Sequence, residues 1–62
     1  MMNEIVLDVC LDNGLKVCIW RDIDNAVWEV EVFDEKYNEQ VYIEVFKDAR
    51  GVLEYLKILT TL

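Results

Sequence analysis

The sequence predicts an α+β domain in which a four-stranded antiparallel β-sheet is followed by one C-terminal helix, in the order ββββα. Two observations predict this fold. Four segments alternate apolar and polar residues with a period of two, which is typical of half-buried strands. The last 15 residues change to the spacing of an amphipathic helix. A chain of 62 residues makes one domain, so we expect a single unit spanning residues 1–62.

The first strand is predicted at about residues 4–11. Its apolar positions are Ile5, Leu7, Val9 and Leu11. Its polar positions are Glu4, Asp8 and Cys10, and Asp12 follows in the same phase. We therefore expect the apolar set to face the core and the polar set to face the outside of the sheet.

The second strand is predicted at about 15–21, after the turn Asp12-Asn13-Gly14. A two-residue Asn-Gly turn would pair Asp12 with Leu15 and mix the two faces, whereas pairing Leu11 with Leu15 keeps them consistent. We therefore expect a three-residue loop with Gly14 in the left-handed conformation. This register places Asp8 opposite Cys18, and Cys10 opposite Lys16.

The third and fourth strands are predicted at about 26–33 and 40–46. We expect three outward pairs between the second and third strands, namely Trp20 with Val27, Cys18 with Glu29, and Lys16 with Glu31. Matching Val32 with Val41 sets the last pair of strands. The outward pairs are then Glu31 with Tyr42 and Glu29 with Glu44, and Val41, Ile43 and Val45 point inward.

The helix is predicted at about 48–60, with Asp48 as its N-cap. Its apolar residues, Val52, Leu53, Leu56 and Leu59, recur at helical spacing. Gly51 is a poor helix residue, so its presence suggests close packing on the sheet. We expect the helix to cover the face formed by Ile5, Val17, Val30 and Ile43.

The charge of the chain is one-sided. Residues 1–46 hold eleven acidic and three basic residues, for a net charge of −8, whereas residues 47–62 carry +1. Large aromatic residues accompany the acids on the predicted outer face, and carboxylates with aromatic anchors are typical of a protein interface. The predicted partner-binding residues are Glu4, Asp8, Asp12, Trp20, Asp22, Asp24, Glu29, Glu31, Phe33, Asp34, Glu35, Tyr42 and Glu44.

The composition argues against several kinds of site. The chain has neither histidine nor serine, so the commonest general base and the serine nucleophile are absent. Asp22-x-Asp24-Asn25 lacks the glycine and the closing glutamate of a calcium loop and is better explained as a turn. Cys10 and Cys18 are expected to be reduced thiols. We therefore expect no enzyme activity, no catalytic or metal-binding residues and no cofactor.

The sequence also favours certain surroundings. The acidic start lacks the basic segment of a signal peptide, and the apolar runs are shorter than a membrane span, so we expect a cytoplasmic protein that does not bind membranes. A pI near 4.2 argues against direct binding to nucleic acid. The acidic face could instead be a solvated surface, or a homodimer seam. A monomer is favoured, because in a homodimer the carboxylates would confront their symmetry mates.

A strongly acidic surface calls for a basic partner, and nucleic-acid-binding grooves are the richest basic surfaces in a cell. In size, charge and layout, the whole chain resembles the small acidic anti-CRISPR proteins of phages and mobile elements, several of which mimic DNA. These families share no motif, so no residue is carried over by alignment. The resemblance implies an inhibitor that occupies the DNA-binding surface of a CRISPR effector complex. The alternative is a small acidic accessory or antitoxin-type module that binds a protein without mimicking DNA.

Overall fold

The computed structural model describes residues 3–61 and has the predicted ββββα architecture. Its elements are β1 (Asn3–Cys10), β2 (Leu15–Asp22), β3 (Val27–Asp34), β4 (Glu39–Phe46) and α1 (Ala49–Thr60). The four strands form one antiparallel sheet in the order β1-β2-β3-β4, and α1 packs on one side of it. The side that faces α1 is called the helix side below, and the opposite side is called the outer face.

The β1–β2 hairpin has the predicted register. The Leu11 amide donates to the Leu15 carbonyl at 2.7 Å, which leaves three residues in the loop. Gly14 has φ +86°, the left-handed conformation that a hairpin of this length favours. Asp8 lies opposite Cys18 and Cys10 lies opposite Lys16, as predicted. The alternation of apolar residues near the turn therefore determines this register correctly.

The N-terminal half of β1 departs from the prediction because the strand contains a bulge. Leu7 pairs with Ile19 and Ile5 pairs with Trp20, so Val6 is an extra residue between the two pairs. A bulge changes the phase of all the residues beyond it. Ile5 therefore lies on the outer face with Trp20, and Glu4 lies on the helix side. The predicted positions of these two residues were wrong.

The β2–β3 register is offset by two residues from the prediction. Trp20 pairs with Glu29 and Cys18 with Glu31, whereas Lys16 pairs with Phe33. The connection between these strands comprises residues 23–26, with Asp22 opposite Val27. An offset of two moves partners along the strand but leaves each side chain on its own face. The predicted pairs were wrong, but the predicted faces of β2 and β3 were correct.

From residue 42 to residue 46, the side chains of β4 lie on the faces opposite to those predicted. Val30 pairs with Glu44 and Glu29 pairs with Val45, and the register shifts between Val32 and Phe33. Because Val30 is fully buried, its neighbour Glu44 also lies on the helix side. Burial first, and then the Glu44 carboxylate, raise the pKa of the Tyr55 hydroxyl, which agrees with that position. The predicted pairing of Glu29 with Glu44 was therefore wrong.

The same inversion moves the apolar residues of β4 between faces. Ile43 pairs with Glu31, so Ile43 and Val45 lie on the outer face and not in the core. Tyr42 pairs with the fully buried Val32 and therefore lies on the helix side. Both alternating sets of β4 contain large apolar residues, so the hydrophobic pattern alone does not distinguish its two faces.

The packing of Phe46 against α1 explains the observed orientation of β4. Its ring centroid lies 5.5 Å from that of Tyr55 on α1. A Cβ atom built at Gly51 would lie 2.8 Å from Phe46 Cδ1, so the missing side chain lets the ring approach the helix. The Gly51 amide donates to the Asp48 carboxylate at 3.0 Å, which confirms the predicted N-cap. The predicted close packing at Gly51 is likewise confirmed.

The core lies between the sheet and α1. Its buried members are Val17, Ile19, Val30, Val32, Val52 and Leu59. The helix therefore covers Val17 and Val30 as predicted, whereas Ile5 and Ile43 lie on the other side of the sheet. Within residues 3–61, the helix is too short and too polar to cross a membrane.

Candidate protein-binding face

The outer face has no helix over it. Strand register assigns its residues, because directly opposed residues in an antiparallel sheet point to the same side. Those residues are Asn3, Ile5, Asp8, Cys10, Lys16, Cys18, Trp20, Asp22, Val27, Glu29, Glu31, Phe33, Gln40, Ile43 and Val45. The face therefore combines aliphatic, aromatic and acidic side chains.

The structure brings together about half of the predicted partner-binding residues. The outer face contains Asp8, Trp20, Asp22, Glu29, Glu31 and Phe33. The turns or the adjoining strand ends contain Asp12, Asp24, Asp34 and Glu35. The helix side contains Glu4, Tyr42 and Glu44, whose predicted place on the outer face was wrong.

Two of the turns meet at one end of the sheet. The Glu35 amide donates to the Gly14 carbonyl at 3.0 Å, which joins the β1–β2 and β3–β4 connections. The Asp34 carboxylate accepts from the Lys36 amide at 2.9 Å, so it serves the turn itself. Three acids, Asp12, Asp34 and Glu35, therefore form a separate group beside the outer face. The Asp34 carboxylate already accepts a hydrogen bond within its own turn.

The aliphatic residues of the outer face are unusually accessible. Ile5 is 52% exposed, Ile43 is 51% exposed and Val45 is 57% exposed. Ile43 and Val45 lie on the same side of β4, and Ile5 lies across the sheet on β1. Single exposed apolar residues are common on protein surfaces, whereas several on one uncovered face indicate an interaction surface. All three were expected in the core, so sequence reasoning missed them. The only available signal was the apolar character of both alternating sets in β4.

Trp20 lies between the aliphatic residues, in the row Ile5-Trp20-Glu29-Val45 that crosses the four strands. It is opposed by Ile5 on one neighbouring strand and by Glu29 on the other. Its ring is half-buried, and its indole Nε1 is buried without a hydrogen-bond partner in the described residues. Tryptophan combines a large apolar area with one donor, and it is enriched, with tyrosine and arginine, among the residues that contribute most to binding in protein interfaces.

The charges of the outer face are mainly negative. Lys16 Nζ lies 3.9 Å from the Asp8 carboxylate, and both side chains are largely exposed, so this ion pair contributes little to stability. The Glu31 carboxylate accepts from Gln40 Nε2 at 2.9 Å, which holds it on the face. Glu29 and Glu31 lie two residues apart on β3, and a strand therefore spaces their Cα atoms by roughly 6.6 Å.

The two thiols of this face are free, as predicted. Desolvation first, and then the Glu35 carboxylate, raise the pKa of the Cys10 thiol. Desolvation first, and then the Asp8 carboxylate, raise the pKa of the Cys18 thiol. Because the thiolate is the nucleophilic form, these surroundings disfavour reactivity at either cysteine.

The Asp22 turn forms by local hydrogen bonding. The Asp22 carboxylate accepts from the Asn25 amide at 3.1 Å and from Asn25 Nδ2 at 2.9 Å. These bonds lower the pKa of Asp22, the side-chain bond having the larger effect. In the part of the chain that the structure describes, no group of three His, Cys, Asp or Glu side chains could hold a metal ion. The interpretation of this segment as a turn therefore agrees with its geometry.

Comparison with known proteins returned no match to a family model, to a curated protein or to a solved structure.

Proposed function

We propose that the protein is a non-enzymatic binding protein whose outer face engages a basic surface of a partner protein. The observation that carries the proposal is the combination of exposed Ile5, Ile43 and Val45 with the carboxylates Glu29 and Glu31 on a face that no helix covers. Trp20 and the two carboxylates lie on the central strands β2 and β3, and the aliphatic residues lie on the edge strands β1 and β4. The face therefore presents aromatic, aliphatic and acidic side chains together, and specific interfaces use such combinations.

Charge supports a basic partner. The whole chain carries −7, and Lys16 is the only lysine or arginine that strand register assigns to the outer face within residues 3–61. A surface of one charge sign attracts the opposite sign over distances of about the Debye length, roughly 8 Å at physiological salt. Such attraction accelerates association, and its effect falls as the ionic strength rises.

The finer proposal is that the partner surface normally binds nucleic acid. The regular spacing of Glu29 and Glu31 along β3 lets their carboxylates take the place of phosphates against lysines and arginines. This is the mode of action implied by the resemblance to acidic anti-CRISPR proteins, with the DNA-binding surface of a CRISPR effector complex as the target. The protein would then inhibit its partner by competing with DNA.

A second candidate is an accessory or antitoxin-type module that binds a protein without mimicking DNA. The exposed aliphatic residues Ile5, Ile43 and Val45 favour it, because a DNA-binding groove offers mainly polar contacts. In this case the apolar residues supply most of the binding energy, and the carboxylates determine the rate of encounter.

Competition with DNA distinguishes the two candidates. A partner captured by the immobilised protein from its native host is purified, and its affinity is measured with and without a saturating DNA ligand. Mimicry predicts that DNA lowers the apparent affinity at least ~10-fold. An unchanged affinity contradicts mimicry and supports the accessory module.

A further inference from the structure

Four carboxylates lie on the strands of the outer face, and three of them have a partner within the chain. Those three pairs are Asp8 with Lys16, Asp22 with Asn25, and Glu31 with Gln40. The fourth, Glu29, has neither a hydrogen bond nor an ion pair within residues 3–61. It is half-buried on the central strand β3, so its charge is partly desolvated and a cation would stabilise it.

Trp20 lies directly opposite Glu29 and has no cation of its own. Directly opposed Cβ atoms in an antiparallel sheet are roughly 4.5–5.5 Å apart, so the two side chains leave the sheet side by side. Trp20 is half-buried, and because its Nε1 atom is buried, the accessible part of the ring is carbon surface. Among the described residues, no lysine or arginine stacks on this ring. The ring therefore offers a free π-surface, which attracts cations.

The chain already places a guanidinium against a tryptophan at the next residue pair of the same two strands. Arg21 lies opposite Trp28, and its guanidinium carbon is 4.6 Å from the centroid of that ring. Arginine suits this contact because its planar group stacks on an aromatic ring and can also donate two parallel hydrogen bonds to a carboxylate. A lysine ammonium is a compact point charge without this fork. A tryptophan beside an unpartnered carboxylate therefore favours arginine.

Aliphatic residues flank Trp20 and Glu29 on both sides. Ile5 opposes Trp20 on β1, and Val45 opposes Glu29 on β4. Both are more than half exposed, so a partner that covers them would exclude water from the pair between them. A charge-assisted hydrogen bond is stronger where water is excluded. These four residues are called the central row below.

We propose that the central row binds an arginine side chain of the partner protein. The guanidinium stacks on Trp20 and donates to the Glu29 carboxylate, while the aliphatic stem packs against Val45. Charge complementarity supports this occupant, because the chain carries −7 and Lys16 is the only lysine or arginine that strand register assigns to the outer face within residues 3–61. This inference rests on the proposed function, since it names the group by which a basic partner is recognised.

Two peptides of equal length and charge test the proposal, namely hexaarginine and hexalysine with blocked ends. Their affinities are measured by isothermal titration calorimetry at physiological salt, and their contacts are mapped by shifts of the amide and indole NMR signals. General attraction to an acidic protein acts on both peptides alike. We expect hexaarginine to bind at least ~5-fold more tightly than hexalysine, with the largest shifts at Trp20 and Glu29.

Three variants locate the preference for arginine. Glu29→Gln removes the charge but keeps the shape of the side chain, and Trp20→Leu removes the ring. Each should reduce the preference for hexaarginine to within ~2-fold. Glu54→Gln is the matched control, because it makes the same change of charge at an exposed position on α1 and should keep the preference. Circular dichroism verifies that every variant is folded.

The results that would overturn the proposal differ in what they mean for the proposed function. If hexalysine binds as tightly as hexaarginine, or if Glu29→Gln keeps the preference as Glu54→Gln does, the arginine site is wrong. The proposed function then stands, provided that the NMR shifts still map to the outer face. Shifts confined to other surfaces, or no binding of either peptide, would contradict both.

Discussion

Gly51→Ala tests the orientation of β4, the largest difference between the predicted and the observed sheet. In an ordinary helix this change stabilises the protein, because alanine is favoured over glycine by about 1 kcal/mol. Here the new Cβ would lie 2.8 Å from Phe46 Cδ1 and 3.4 Å from Phe46 Cγ, distances that force the ring or the helix to move. The outcome therefore depends on which face of the sheet carries Phe46.

The two effects have opposite signs. Overpacking a well-packed site typically costs about 1–3 kcal/mol, which exceeds the gain in helix propensity of about 1 kcal/mol. We expect Gly51→Ala to lower the free energy of unfolding by about 1 kcal/mol. In a Phe46→Val background the side chain has no Cδ atom, so the close contact is removed and the same change should raise it by about 0.5–1 kcal/mol.

The assay is a double-mutant cycle measured by urea unfolding of four proteins, namely the wild type, the two single variants and the double variant. The expected coupling between positions 46 and 51 is about 1.5–2 kcal/mol, within the range for residues in contact. If Phe46 pointed away from the helix, Gly51→Ala would stabilise both backgrounds equally. A coupling near zero would therefore refute the observed face of β4.

Three further predictions concern stability. Ala26 and Asn38 both have φ +54°, so Ala26→Gly should raise the free energy of unfolding by about 1 kcal/mol. Asn38→Gly should have a smaller effect in the same urea assay, since asparagine tolerates this conformation; equal effects would contradict the reasoning. Trp28→Ala should lower the free energy of unfolding by about 3 kcal/mol and Trp20→Ala by about 1 kcal/mol, because of the two only Trp28 packs against the core. A larger loss for Trp20→Ala than for Trp28→Ala would place Trp20 in the core. The pKa of Asp22 is lower in the folded protein than in the unfolded chain. The ionised carboxylate therefore stabilises the fold fully above the ordinary aspartate pKa of about 3.9, and this stabilisation is lost as the pH falls through the lower pKa of the folded state. The excess stability of the wild type over Asp22→Asn should therefore be constant from pH 7 to 5 and shrink at lower pH in acid titrations; a constant difference down to pH 2 would contradict this origin.

The parts of the fold that the sequence predicts correctly are those with one clear apolar phase. Leu11 and Leu15 determine the β1–β2 register, and Gly14 supplies the left-handed residue that the turn requires. The helix is equally well marked, because Asp48 caps it and Val52 and Leu59 face the core. In these elements the local preferences and the tertiary packing favour the same structure.

The errors in which face a residue occupies arise at the two bulges, whereas the two-residue offset between β2 and β3 arises at the connection 23–26. The extra residues are Val6 in β1 and Val41 in β4, and neither bulge contains a glycine or proline that would mark an irregularity. In β4 the packing of Phe46 against α1 decides the face, and that contact connects residues that a periodicity argument treats separately. The observed outer face is therefore more aliphatic and less acidic than the face predicted from the sequence.

Charge reversal on the outer face tests the central claim most directly. Glu29→Lys with Glu31→Lys changes the net charge from −7 to −3, and Glu39→Lys with Glu54→Lys makes the same change at residues not assigned to the outer face. The measurement is the affinity of each protein for the partner captured by the wild type, with circular dichroism to verify folding. We predict that the first variant loses binding at least ~100-fold and that the second stays within ~5-fold of the wild type. Equal affinities of the two variants would show that the outer face is not the binding surface.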